Sequence, residues 1–241
     1  MKLPVIDKPI YKTNILSRKE PVEYTPFTVK ESKILMMARE SDNIQDVADA
    51  VNQVLANCLI DKTINVKELP MVDMEWLFLN IQAKSSGEKI PLYFKCKNIP
   101  KGNTSECGMV LELEINLLDT VIANNDIERK IKISDEVGLV MKLPTFDITQ
   151  RAMSANTNKE DQMLAALTID YIYDKNSVYN SSDVSENELL EFVENLPTEK
   201  YRAIEKYFES VPYITQTIPC KCEKCGFVHE IVLKGLEDFF G

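Results

Sequence analysis

Apolar residues recur at two different periods along this chain, and the switch between them predicts its elements. Residues 1–24 carry Pro4, Pro9 and Pro21 among isolated apolar positions (Val5, Ile10, Ile15), which suits an extended arm lying across a surface rather than a helix. Thr28 and Glu31 then form an S/T-x-x-E capping box, with Val29, Ile34, Leu35 and Ala38 following, so a helix is expected to about Glu40. From Ile44 the positions Val47, Ala48, Val51, Val54, Leu55 and Cys58 recur at three and four, which predicts a second helix with one buried stripe. Asn43 is its candidate cap, and Cys58 reads as core. Pro70–Lys84 is apolar on nearly all sides (Met71, Met74, Trp76, Leu77, Phe78, Leu79, Ile81) and should be a central helix ending before Gly87.

The period then drops to two. Ile90–Lys95 and Met109–Leu117 read as a hairpin, with Leu111, Leu113, Ile115 and Leu117 on a dry face and Val110, Glu112, Glu114 and Asn116 on a wet one. Two short strands, Lys130–Ile133 and Leu139–Leu143, flank a turn at Asp135–Gly138. Helices are expected at Ile148–Met153, Glu160–Tyr173, Glu186–Leu196 and Glu199–Ser210, the third opened by a Ser185/Glu188 capping box, with a polar loop at Asp174–Asp183. A second hairpin, Tyr213–Pro219 with Val228–Leu233, closes the pattern before Gly235-Leu-Glu-Asp-Phe-Phe-Gly.

These elements predict an α+β fold, mostly helical, with two β-hairpins and short antiparallel sheets. The hairpins share a local pattern, Glu106-Cys107-Gly108-Met109-Val110 beside Lys224-Cys225-Gly226-Phe227-Val228. Two readings stay open. In one, an arm (1–24) precedes a single pseudo-duplicated domain (25–241), with a helical half plus hairpin over 25–143 and a helical half plus cysteine hairpin over 144–241. In the other, the hairpins are unrelated.

Composition narrows the chemistry. The 241 residues carry 28 Lys+Arg against 38 Asp+Glu, a net charge of −10, which works against displacing counterions from phosphates, so no nucleic-acid partner is expected. No apolar run approaches the roughly 18 residues of a membrane span, and the first residues lack the apolar core of a signal peptide, so a cytoplasmic, membrane-free protein is expected. The seven glycines never form a phosphate-binding loop. The single histidine, His229, excludes an H-E-x-x-H zinc protease and leaves one candidate for any Ser or Cys relay. A non-enzymatic protein is the expectation.

The sharpest chemical feature is Cys220-x-Cys222-x-x-Cys225-Gly226. A C-x-x-C-G turn at a hairpin tip is knuckle-like: backbone N–H groups point at the thiolates, and glycine permits the tight turn. A closed tetrahedral site needs two more ligands, and the first hairpin offers Cys96 and Cys107 across its loop. The alternative is a local site of Cys220, Cys222, Cys225 and His229. Either would hold a structural zinc ion, since all four positions come from protein. Metal-free thiols are the bland reading. A redox pair is disfavoured because thioredoxin-type motifs open a helix, whereas this one sits between strands. At the C-terminal end, Leu236, Phe239 and Phe240 flank Glu237 and Asp238; two adjacent aromatics among acids read as an anchor for a partner groove, with docking on the chain itself as the alternative.

Three stretches carry a family resemblance: Tyr24-Thr-Pro-Phe-Thr-Val-Lys-Glu-Ser-Lys-Ile-Leu-Met-Met-Ala-Arg-Glu-Ser41, Leu69-Pro-Met-Val-Asp-Met-Glu-Trp-Leu-Phe-Leu-Asn-Ile-Gln-Ala-Lys-Ser-Ser-Gly-Glu88 and Gly235-Leu-Glu-Asp-Phe-Phe240. In this order they resemble the baseplate hub assembly proteins of contractile-tailed, T-even-like bacteriophages. The resemblance implies a part in building the tail baseplate hub, with hub and tape-measure proteins as clients. It implies residence in the host cytoplasm and, for a hub subunit, in the virion tail. It leaves open a transient chaperone-like factor or a permanent subunit. The cysteine centre rests on this sequence alone, and a zinc-ribbon nucleic-acid regulator is the competing reading of another class.

Overall fold

The computed structural model describes residues 6–41, 43–154 and 159–240. Expectations placed on residues 1–5 and on Gly241 lie outside these. The fold is α+β, and the chain forms two compact units. The first comprises Met1–Val66, Val72–Ala123 and Tyr213–Gly241, and the second Lys67–Met71 and Asn124–Pro212. In chain order the elements are β1 (Tyr11–Thr13), β2 (Val22–Tyr24), α1 (Val29–Arg39), α2 (Ile44–Cys58), α3 (Met71–Ser86), β3 (Lys89–Lys95), β4 (Val110–Asn116) and β5 (Val121–Ala123). There follow β6 (Lys130–Lys132), β7 (Gly138–Met141), α4 (Phe146–Ser154), α5 (Glu160–Leu167), β8 (Ile169–Tyr173), β9 (Val178–Asn180), α6 (Glu186–Glu194) and α7 (Thr198–Glu209). The chain ends in β10 (Tyr213–Lys221), β11 (Val228–Lys234) and α8 (Gly235–Phe240). Among the described residues no helix is long and apolar enough to cross a membrane.

In the first unit, β3 pairs with β4, and β10 lies between β11 and β5, all antiparallel. Their inward faces (Leu111, Ile115, Ile214, Ile231, Leu233) join Val72, Leu79 and Ala83 of α3 in one core. The alternation in β4 is the expected one, with Leu111 and Ile115 buried against exposed Val110, Glu112 and Glu114. Both N-terminal helices begin as their caps dictate: the Glu31 carboxylate accepts the Thr28 N–H at 2.9 Å, and Asn43 accepts the Gln45 N–H at 3.0 Å. Cys58 is buried at the end of α2.

Residues 6–24 depart from the extended arm. β1 and β2 form an antiparallel pair, and Ile15, Val22 and Tyr24 are buried. The cause is a carboxylate: fully buried Asp73 of α3 accepts the N–H groups of Leu16 at 2.7 Å and Ser17 at 2.9 Å, which draws the connecting loop inward.

The second unit holds a four-stranded antiparallel sheet in the order β6-β7-β8-β9, with Leu139, Met141 and Ile169 packed against Ala165, Leu189 and Ile204 of its helices. The helix expected over Glu160–Tyr173 stops at Leu167. Thr168 turns its hydroxyl back to the Leu164 carbonyl at 2.6 Å, and Ile169–Tyr173 continues as a strand. The run from Ala165 to Ile169 is buried in both elements, which is why its periodicity does not betray the change. Part of the expected loop after it is β9, reached through a turn in which the Asp174 carboxylate accepts the Asn176 and Ser177 N–H groups. A Cβ at Gly138 would collide with the end of the Tyr173 side chain, so any larger residue there must displace that ring. The units do not coincide with the halves 25–143 and 144–241. Both hairpins belong to the first unit, because β10 returns to pair with β5.

The C-terminal segment is a short helix docked on its own unit, not a free anchor. Phe239 is 4% exposed, Leu236 and Phe240 pack on the same core, and the Phe240 ring meets Phe78 edge-on at 5.8 Å. Burying one such aromatic contributes about 2 kcal/mol, enough to hold a single helical turn. The approach is set by Gly235 at φ +64 and by Glu75 of α3, whose carboxylate accepts the Leu236 N–H at 3.3 Å.

Burial, with Glu237 nearby, lifts the Glu75 carboxyl from its ordinary 4.5 to about 7, against the pull of the Leu236 N–H. Between those pH values the folded chain keeps a proton that the unfolded chain has released, so this group's contribution to stability falls as pH rises through that window. Glu75→Gln should therefore match the parent near pH 5 and exceed it by up to about 3 kcal/mol near pH 8 in urea unfolding; a constant gap would refute the assignment.

Candidate metal centre

The two hairpin tips of the first unit are built alike. In the second, the Cys222 N–H donates to the Phe227 carbonyl at 2.8 Å, and the Gly226 N–H donates to the Cys222 carbonyl at 2.8 Å. In the first, the Cys96 N–H donates to the Met109 carbonyl at 2.8 Å, and the Gly108 N–H donates to the Cys96 carbonyl at 3.0 Å. Gly108 and Gly226 take left-handed φ values of +67° and +72°, which glycine adopts without strain. The local likeness in sequence is thus a shared hydrogen-bond frame: Cys96 corresponds to Cys222, Cys107 to Cys225, Gly108 to Gly226 and Met109 to Phe227. The frames differ in what they enclose, a two-residue turn in one hairpin and the longer loop 97–106 in the other.

These frames bring Cys96, Cys107, Cys222 and Cys225 together, with all four Sγ atoms within 4.8 Å of one another. Cys96 and Cys225 stand 3.7 Å apart and Cys107 and Cys222 3.8 Å. Four thiolates on a tetrahedral ion with bonds of about 2.3 Å would be spaced by about 3.8 Å, so the donor set fits such an ion. The cysteines are free thiols, far from the roughly 2.05 Å of a disulfide. Cys96 and Cys222 are fully buried and Cys225 is half-buried.

The surroundings treat the sulfurs differently. Burial and neighbouring thiols push the Cys96 thiol up, against a hydrogen bond from the Asn98 N–H. The Phe227 N–H and the Asn98 side chain, whose Nδ2 donates at 3.5 Å, hold the Cys225 thiol down. His229 Nε2 lies 3.1 Å from Cys96 Sγ. Lys224 Nζ donates to the Cys107 carbonyl at 3.0 Å and so ties one tip to the other.

Of the two ligand sets read from the sequence, the structure assembles the one shared between hairpins. Cys220 lies outside the cluster: it faces His229 across the β10–β11 register, two residues from Cys222, and at about 3.3 Å of rise per residue its sulfur falls short of the centre. His229 reaches a sulfur rather than standing among the four. Asn98 went unnoticed in the sequence. Its signal was its place two residues after Cys96, the offset at which a knuckle directs a backbone N–H at sulfur. Phe239 belongs to the core of the unit, and the half-buried Leu236 and Phe240 pack against it.

A family model described as T4 bacteriophage base plate protein matches residues 8–241. The baseplate hub assembly protein gp26 of Enterobacteria phage T4 is 24% identical over 230 residues, covering 95% of this chain and 97% of that protein. No solved structure matches.

The glycine requirement at the knuckle is testable by itself. Gly226 has open space around its Cβ direction, so Gly226→Ala meets no clash, only the cost of a left-handed φ. It should lower stability by about 1–2 kcal/mol in thermal unfolding, and an unchanged midpoint would show that the turn can relax.

Proposed function

The chain belongs to the T4 bacteriophage base plate protein family, and from that premise we propose that it is a non-enzymatic factor in assembling the tail baseplate hub, one that binds hub or tape-measure proteins while the particle is built. The observation that carries the reading is the match to a baseplate hub assembly protein along nearly the full length of both chains. The same extent of match supports a place in the infected cell and the phage tail over a role in host transcription, as does the net charge of −10. Quantitative mass spectrometry of purified particles against the infected-cell lysate tests it. Near absence from finished particles is the expected result, and a fixed copy number in them would replace the transient factor with a permanent hub subunit.

The proposal includes a structural zinc ion held by Cys96, Cys107, Cys222 and Cys225. What supports it is the donor set: four buried or half-buried thiols at tetrahedral spacing, with N–H groups aimed at sulfur, and every coordination position filled by protein. Such an ion would supply no open position for catalysis and would join two hairpins that share no strand pairing. Protein purified without chelator should carry about one zinc per chain, and Cys222→Ser should lose the metal together with thermal stability. Metal-free, fully reduced protein of parental stability would dismiss the ion.

A further inference from the structure

We propose that His229 and Asn98 are outer-sphere donors to one half of the cysteine centre, the pair Cys96 and Cys225, and that this polar half keeps the metal bound as a tetrathiolate. The inference rests on the zinc reading above and assigns to it the residues that offset its charge.

The shared frame of the hairpins carries the argument. Exchanging equivalent positions, Cys96 with Cys222 and Cys107 with Cys225, converts the 3.7 Å sulfur pair into the 3.8 Å pair, so the centre has an approximate two-fold relation. The side-chain donors break it. Among the described residues, the side-chain nitrogens that reach sulfur are His229 Nε2, 3.1 Å from Cys96, and Asn98 Nδ2, 3.5 Å from Cys225. The position equivalent to His229 in the first hairpin, four residues after its second cysteine, is the buried Leu111. The position equivalent to Asn98 is Lys224, which turns to the Cys107 carbonyl. One half of the centre therefore has two side-chain nitrogens at its sulfurs, and towards thiolates, which have no proton to give, both nitrogens can only donate.

Charge gives these donors a purpose. Four thiolates around a divalent cation leave two negative charges in a site whose Cys96 is fully buried, and an uncompensated buried charge is costly. Donors to the sulfurs spread that charge, His229 at Cys96, which solvent does not reach, and Asn98 at the half-buried Cys225. His229 is oriented for the task by two rings: Phe94 at 5.0 Å and Phe227 at 4.8 Å both stand edge-on to it, each at 64°. Its imidazole is thus held with Nε2 toward Cys96, as an outer-sphere group is held by its neighbours.

The test uses the full chain, with zinc(II) and cobalt(II) as probes. His229→Phe keeps a ring between Phe94 and Phe227 and removes the donor. It should weaken zinc roughly 10–100-fold in competition with a chromophoric chelator. His229→Gln, whose amide presents a donor nitrogen at similar reach, should recover most of that loss. The cobalt(II) protein should show the same four-thiolate charge-transfer spectrum in parent and both variants. If His229→Phe binds zinc within about twofold of the parent, the outer-sphere role is wrong although the zinc site stands. If the cobalt(II) bands of the variant shift, His229 is itself a ligand, and the proposal fails in that direction. Should His229→Phe not fold, Asn98→Ala carries the same comparison, with a smaller loss and an unchanged spectrum expected. A parent chain that binds neither metal overturns the zinc reading and this inference with it.

Discussion

A helix buried on nearly every side has no water to satisfy its polar side chains, and this constraint on α3 organises the first unit. Val72, Leu77, Leu79 and Ile81 commit the helix to the interior, so its polar residues must find partners in protein. They find them in segments from both ends of the chain. Asp73 takes the N–H groups of Leu16 and Ser17, Trp76 donates its indole N–H to Thr13 at 3.0 Å, Ser85 takes the Phe27 N–H at 2.7 Å, and Glu75 takes that of Leu236. The N-terminal strands and the C-terminal helix are thus fastened by directed hydrogen bonds, with apolar burial supplying the adhesion.

The cysteine centre solves a different problem in the same unit. Cys96 and Cys225 are separated by 129 positions in sequence, and the two hairpins that carry them form separate sheets. A shared core aligns the two hairpins, yet among the described residues no ladder joins one to the other. Four thiols, two from each tip, meet where such a ladder would otherwise be needed. The knuckle frame does this with few residues: a left-handed glycine turns the chain, and backbone N–H groups are released toward sulfur instead of toward carbonyls. A metal bound there would clasp the hairpins together without enlarging the core.

Much of the local structure was legible in the sequence. Capping boxes at Thr28 and Ser185, the cap at Asn43, the all-round apolar character of α3 and the alternation in β4 each reflect an interaction within a few residues of its own position, and each element stands where its pattern places it. The C-x-x-C-G turn was legible for the same reason. The Thr168–Tyr173 segment was not, because a residue buried in both helix and strand carries no periodic mark of which it occupies. The weaker cue was there in the alternating β-branched and aromatic residues of Ile169-Asp-Tyr-Ile-Tyr.

The element types, most of their ends, the α+β class, the knuckle and the family resemblance can be read from the residues before any fold is known, since these depend on contacts between near neighbours along the chain. Which four of the six cysteines gather, that His229 meets a sulfur, that β1 and β2 pair and that Phe239 lies in the core emerge from the fold alone. Those outcomes depend on pairing between segments tens to more than a hundred residues apart. Such pairing is selected by loop closure and by the competition of whole faces for burial, and no short window of sequence records the winner.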